Sequence, residues 1–124
     1  MIRSREPIEP DPNSPLTPAM FHVLIALADG EKHGYAILKE VERRTSGKVR
    51  LSAGTLYGII KRLHGEGWIQ ELSKRPAAEL DDERRRYYRL TDAGREAAKA
   101  EARRLEELLA MAHNKKLLRR PEFA

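Results

Sequence analysis

Thr55, Tyr57, Lys61 and Arg62 bring a hydroxyl, a phenol, an ammonium and a guanidinium into one short stretch of the chain. These groups hydrogen-bond to phosphate oxygens and to base edges. At the helical angle of about 100° per residue, Gly54, Gly58, Lys61 and Gly65 share one face. Arg62 and Thr55 flank that face on one side and Tyr57 on the other. A glycine inside a helix costs about 1 kcal/mol against alanine. A face this rich in glycine implies that something large approaches the backbone closely: a base-pair edge, a phosphate or a packed helix. Lys74, Arg75, Arg84 and Arg85 form a second basic group at the two feet of a polar segment, residues 73–85. Between them lies the acidic run Asp81-Asp82-Glu83, which sits at a hairpin tip where nothing excludes water. That is poor ground for general acid–base work, so catalysis is not expected. His22, His33, His64 and His113 lack ligand-like spacing and the chain has no cysteine. Metal sites, disulfides and thiolate nucleophiles are therefore not expected, nor is any cofactor.

The elements that would hold these residues follow from caps and periodicity. Residues 1–15 carry Pro7, Pro10, Pro12 and Pro15 among polar residues and predict a disordered or extended tail. Thr17-Pro18 is a helix start. The helix it opens is apolar nearly all round, with only His22 breaking the pattern, and Asp29-Gly30 ends it. One face of so apolar a helix is expected to meet the chain's own core and another to meet a partner subunit. A second helix is predicted from about Gly34 to Thr45, with Tyr35, Ile37, Leu38 and Val41 inside. Val49-Arg50-Leu51 reads as a strand fragment. Ser52 caps a third helix that runs to about Glu66, with Leu56, Ile59, Ile60 and Leu63 as its apolar face. Trp68 to Leu72 and Arg86 to Leu90 read as antiparallel strands, with Trp68 at the strand base or in the core. Thr91 opens a last helix reaching about His113, in which Ala98, Ala102, Leu105, Leu109 and Ala112 alternate in steps of four and three, a coiled-coil-like seam. A basic tail follows over 115–124.

The 124 residues suit one core. With 40% apolar and 35% charged residues the chain folds behind a charged surface, and its formal charge of +5 favours a polyanionic partner. No apolar run reaches the 18–20 or so residues of a membrane span, and Met1 to Pro7 has no apolar core for a secretory signal. A cytoplasmic protein with no membrane partner is expected. The order of elements is that of a mainly α chain with a small β-hairpin: a winged helix-turn-helix over 16–90 followed by a dimerisation helix over 91–114. In that plan the third helix enters a major groove and the hairpin touches the backbone or minor groove beside it. Both basic surfaces fall where the plan needs them. The glycine face also fits a packed helix, so an adaptor that binds another protein is the competing function. Salt separates the two, because only phosphate contacts weaken steeply with ionic strength.

Residues 16–27, His33-Gly34-Tyr35-Ala36-Ile37, Leu51-Ser52-Ala53-Gly54-Thr55-Leu56-Tyr57, Arg62-Leu63, Gly67-Trp68-Ile69 and Arg86-Tyr87-Tyr88-Arg89-Leu90-Thr91-Asp92-Ala93-Gly94 together resemble the PadR-like transcriptional regulators. The resemblance covers about residues 16–110 and is closest to the compact branch with a single C-terminal helix. It implies a homodimer held by the last and first helices, bound as a repressor to double-stranded DNA at a roughly palindromic operator. It assigns a phosphate contact to Tyr35 and recognition-helix contacts to Thr55 and Tyr57. Ser52 and Gly54 belong to the same site through the free N–H groups of the helix start, and Lys61 and Arg62 join it from geometry alone. The dimer contacts expected are Phe21, Leu24, Ala98, Ala102, Leu105, Leu109 and Ala112. Where the family usually follows Leu-Tyr with proline, this chain has Gly58, which predicts a helix three that starts or bends differently. Some members release DNA on binding a small aromatic molecule. Here no aromatic residue lies between Tyr88 and Phe123, so a small-molecule effector is expected near Trp68, Phe21 or the dimer seam.

Overall fold

The computed structural model describes residues 16–72 and 86–119. The expected tail over 1–15, the hairpin tip with Lys74, Arg75, Arg84 and Arg85, and the end of the basic tail lie outside those residues. Helix α1 (Pro18–Ala26) starts at the threonine–proline pair: the Thr17 hydroxyl accepts from the Met20 N–H at 3.1 Å, and Pro18 takes the position where no N–H is needed. A two-residue strand β1 (Lys32–His33) runs straight into α2 (Gly34–Arg44), whose N-cap is His33, with Nδ1 accepting from the Ala36 N–H at 3.2 Å. Helix α3 (Ala53–Gly65) is capped by Ser52 Oγ, which accepts from the Thr55 N–H at 3.0 Å. It closes in a Schellman turn. The Trp68 N–H reaches the Leu63 carbonyl and the Gly67 N–H that of His64, both at 3.0 Å. Gly67 has φ of 80° there, a conformation strained for any side chain.

Strands β2 (Ile69–Leu72) and β3 (Tyr87–Leu90) pair antiparallel, Ile69 opposite Leu90 and Glu71 opposite Tyr88. The other edge of β3 is taken by β1, Lys32 opposite Tyr88, giving the order β1-β3-β2. The sheet thus has three strands, and its third strand is not the expected fragment at Val49-Arg50-Leu51. That segment is irregular because the Thr45 side chain satisfies it, Oγ1 accepting from the Val49 N–H at 3.0 Å, while the edge of β3 is already occupied.

Helix α1 is the centre of the core. It packs against α2, α3 and the last helix, α4 (Asp92–Asn114). Val23, Leu24, Leu27, Ile37, Leu56 and Leu63 are fully enclosed. Of the first-helix residues expected at a subunit contact, Leu24 is fully buried in the chain's own core and has no surface to offer a second subunit, whereas Phe21, with His22 and Ile25, is only half-buried.

The start of α4 is fastened to the end of α3. The Thr91 N–H donates to the Trp68 carbonyl at 3.0 Å, and the Thr91 hydroxyl donates to the Gly67 carbonyl at 2.7 Å. Gly94 packs against the Trp68 carbonyl. Trp68 is half-buried at the base of β2, as its sequence context predicts. One turn on, an Arg95 guanidinium N–H donates to the Ala28 carbonyl at 3.1 Å. Further along, the buried Glu101 accepts from Arg104 at 2.6 and 3.1 Å and from the backbone of Leu16. Among the described residues, no helix is long and apolar enough to cross a membrane.

Candidate nucleic-acid interface

The apolar stripe of α3 turns Leu56, Ile60 and Leu63 into the core, which leaves the opposite face outward. Gly54, Thr55, Tyr57, Gly58, Lys61, Arg62 and Gly65 are all exposed, together with the capping Ser52. A Cβ added at Gly54, Gly58 or Gly65 meets nothing within 4 Å. Packing within the chain therefore does not require these three glycines. Lys61 and Arg62 make no ion pair with another described residue, whereas Lys32, Arg44, Arg86 and Arg104 each have a carboxylate partner. Helix α3 runs unbroken from Ala53 to Gly65 through Gly58.

Not every residue of the stripe is free. Thr55 is tied into the cap: its N–H donates to Ser52 Oγ, and the Ser52 hydroxyl donates to Thr55 Oγ1 at 3.0 Å. Tyr57 leans across the start of α2, its phenol filling the space a side chain at Gly34 would need. It remains 41% exposed, so it is both a packing residue and a surface phenol. With Ile60, Lys61 and His64 it walls a groove of about 260 Å³ whose far side is Glu71 and Tyr88 of the sheet. Burial, reinforced by the charge of Glu71, pushes the Tyr88 phenol up to about 12, so it stays a neutral donor at any physiological pH.

Tyr35, in the first turn of α2, is 56% exposed. Its ring stacks beside that of His33, with centroids 6.4 Å apart, and Lys39 Nζ, from the next helical turn, lies 5.4 Å from its centroid. His33 in turn meets the ring of Tyr87 edge-on at 5.4 Å. The capping residue of α2 therefore joins Tyr35 to the sheet. At the base of the wing, Arg86 pairs across the strands with Glu71 at 3.0 Å, and Arg89 Nε donates to Gln70 Oε1 at 3.2 Å.

Lys39, Arg43 and Arg50 are basic residues that the sequence alone did not single out. Together with Glu42, Ser46 and Gly47 they line an open cleft of about 520 Å³ beside Tyr35. The signal was present in the spacing of four that links Tyr35, Lys39 and Arg43 on one helical face.

Of the residues expected at a dimer seam, Phe21 and Ala98 are half-buried against the chain's own core, with Leu24 enclosed in it. Beyond Glu101, α4 leaves the core. Ala102 and Leu109 are exposed there and Leu105 and Ala112 half-buried. Leu108 and Met111, absent from the predicted seam, are 46% and 58% exposed and widen this apolar face.

A profile of the transcriptional regulator PadR-like family matches residues 23–100. The chain is 38% identical over 87 residues to the transcriptional regulator Rv3488 of Mycobacterium tuberculosis, covering 70% of this chain and 75% of that protein. It is 40% identical over 90 residues to an uncharacterized 37.1 kDa protein in transposon TN4556 of Streptomyces fradiae, covering 73% of this chain but 24% of that protein, so it spans about a quarter of that relative's length. Its fold is similar to that of Bacillus subtilis PadR in complex with operator DNA, with a TM-score of 0.55 and 20% identity over 83% of this chain and 50% of that one. With a matching profile over most of its folded part and the identity to Rv3488, the chain belongs to the transcriptional regulator PadR-like family.

Proposed function

We propose that the chain is a cytoplasmic, sequence-specific DNA-binding regulator that acts as a homodimeric repressor on a roughly palindromic operator. The observation that carries this reading is the outer face of α3. Three glycines there have open space above them and two cations lack a carboxylate among the described residues. An apolar protein partner would have no use for the unpaired cations, and a bare solvent face would not bear the cost of the glycines. A major-groove edge uses both. The B. subtilis protein of the same fold, solved with operator DNA, is consistent with that orientation. For the dimer, the support is the apolar end of α4, where Leu108, Leu109 and Met111 are exposed among the described residues. Helix α4 carries no Phe, Tyr or Trp, so an effector that releases the DNA would act at that seam rather than by stacking on the helix.

The test is an anisotropy titration against the DNA upstream of the chain's own coding sequence, run at two salt concentrations beside random-sequence duplex. Tight binding that prefers the upstream DNA and weakens steeply with salt is expected. Equal, weak binding to both duplexes would sink the sequence-specific reading.

A further inference from the structure

We infer that the outer face of α2, from Tyr35 through Lys39 and Arg43 to Arg50 in the following loop, is a second phosphate track, which holds the DNA backbone beside the segment read by α3. The inference rests on the DNA-binding reading and adds to it a surface that neither α3 nor the wing supplies. Four observations carry it.

The first is charge. The cleft is lined by three cations and one carboxylate. Glu42 is met by Arg50 at 3.6 Å, and Lys39 and Arg43 make no ion pair with another described residue. Around Glu40 of the same helix the pattern is the reverse: Arg44, also on α2, and Lys32, on β1, both reach it, at 2.9 and 3.6 Å. The cations beside Glu40 are neutralised, and Lys39 and Arg43 have no carboxylate partner among the described residues.

The second is alignment. Tyr35, Lys39 and Arg43 recur every fourth residue, so they stand above one another on a single face. At 1.5 Å per residue, Tyr35 and Arg43 are about 12 Å apart along the axis. One strand of a duplex carries a phosphate about every 3.4 Å of its axis, so that length passes several of them.

The third is continuity. Lys39 sits over the ring of Tyr35, so the row begins at the residue to which the family resemblance assigns a phosphate contact. The fourth is access. The helix ends in a turn with Ser46 at φ of 53° and Gly47 at 80°, and this leaves the cleft between Arg43 and Arg50 open to a partner as broad as a sugar–phosphate backbone. A free phosphorylated small molecule would find the same charges, but not a use for a row that extends along the helix.

The experiment is a hydroxyl-radical footprint and a salt titration on the upstream duplex, comparing the full chain with Lys39→Gln/Arg43→Gln. Both side chains are exposed, and a thermal melt checks that the variant stays folded. In the variant, phosphate protection next to the α3-read segment is expected to disappear while guanine protection within that segment persists. The slope of log K against log salt should fall by about 0.9 for each phosphate that the variant no longer neutralises. An unchanged footprint with an unchanged slope would overturn the phosphate track and leave the regulator reading intact. Loss of competition by inorganic phosphate, with the footprint unchanged, would overturn it in favour of a small anion. A wild-type chain that leaves no footprint would overturn both readings together.

Discussion

Gly94, in the first turn of α4, packs directly on the main-chain carbonyl of Trp68, with no room between them for even a methyl group. The contact is backbone against helix, so neither side can swing away. Gly94→Ala is expected to cost more than about 2 kcal/mol, the range for overpacking against an immobile neighbour. Urea denaturation checks this, and a loss under about 0.5 kcal/mol would mean that α4 docks differently.

Gly58→Ala has the opposite sign. The added methyl meets open space, and alanine in a helix interior is favoured over glycine by about 0.5–1 kcal/mol. The variant should therefore melt at a higher temperature while binding operator DNA more weakly. A variant that is more stable and binds as well as the wild type would show that nothing approaches the helix at Gly58.

Lys61→Ala and Arg62→Ala separate the two roles a cation can have on α3. Removing a base contact should cost about 1–3 kcal/mol and relax the preference for the upstream DNA, whereas removing a phosphate contact weakens all sequences alike. If neither change alters affinity, the reading surface is elsewhere.

The buried Glu101 carries the acid limb of stability. The Arg104 guanidinium hydrogen-bonded to it holds its carboxyl below the usual 4.5, and the Leu16 N–H adds to the effect. A carboxylate whose value is lowered by folding stabilises the native state above 4.5, and that contribution fades as the pH drops through its folded value. Glu101→Gln should lose about 1–3 kcal/mol at neutral pH and show a flatter stability profile below 4.5. Equal slopes for the two proteins in acid would contradict this assignment.

The proposed dimer is best tested by substitution rather than truncation, since removing α4 also strips Gly94 and Ala98 from the core. Leu109→Asp places a charge in the centre of the exposed apolar face. Sedimentation should show a monomer with an unchanged melting curve for the winged part. A dimer that survives Leu109→Asp paired with Met111→Lys would place the subunit contact elsewhere.

What could be read in the sequence was what is decided locally. Thr17, Ser52 and Thr91 each cap a helix because a hydroxyl finds an N–H three residues on, and that spacing is visible without a fold. The outward face of α3 was legible for a similar reason, since its apolar residues keep the helical period. Strand β1 was not. Two residues carry no period, and Lys32 and His33 are extended only because Tyr88 and Tyr87, far along the chain, offer an edge. Helix α1 was ambiguous because an all-apolar helix states that it must be covered and not by what. Lys39 and Arg43 have the composition of any solvated helix surface, and only the folded chain shows that neighbouring cations are paired while these have no carboxylate among the described residues.

The cap at His33 has a mechanical consequence. One residue is at once a rung of the sheet, the N-cap of α2 and the neighbour of both Tyr35 and Tyr87. Strand β3 and the tyrosine-bearing helix are therefore joined through one side chain. On the DNA-binding reading proposed above, a duplex would meet the two elements at a set spacing, and one whose groove departs from it would have to deform to fit.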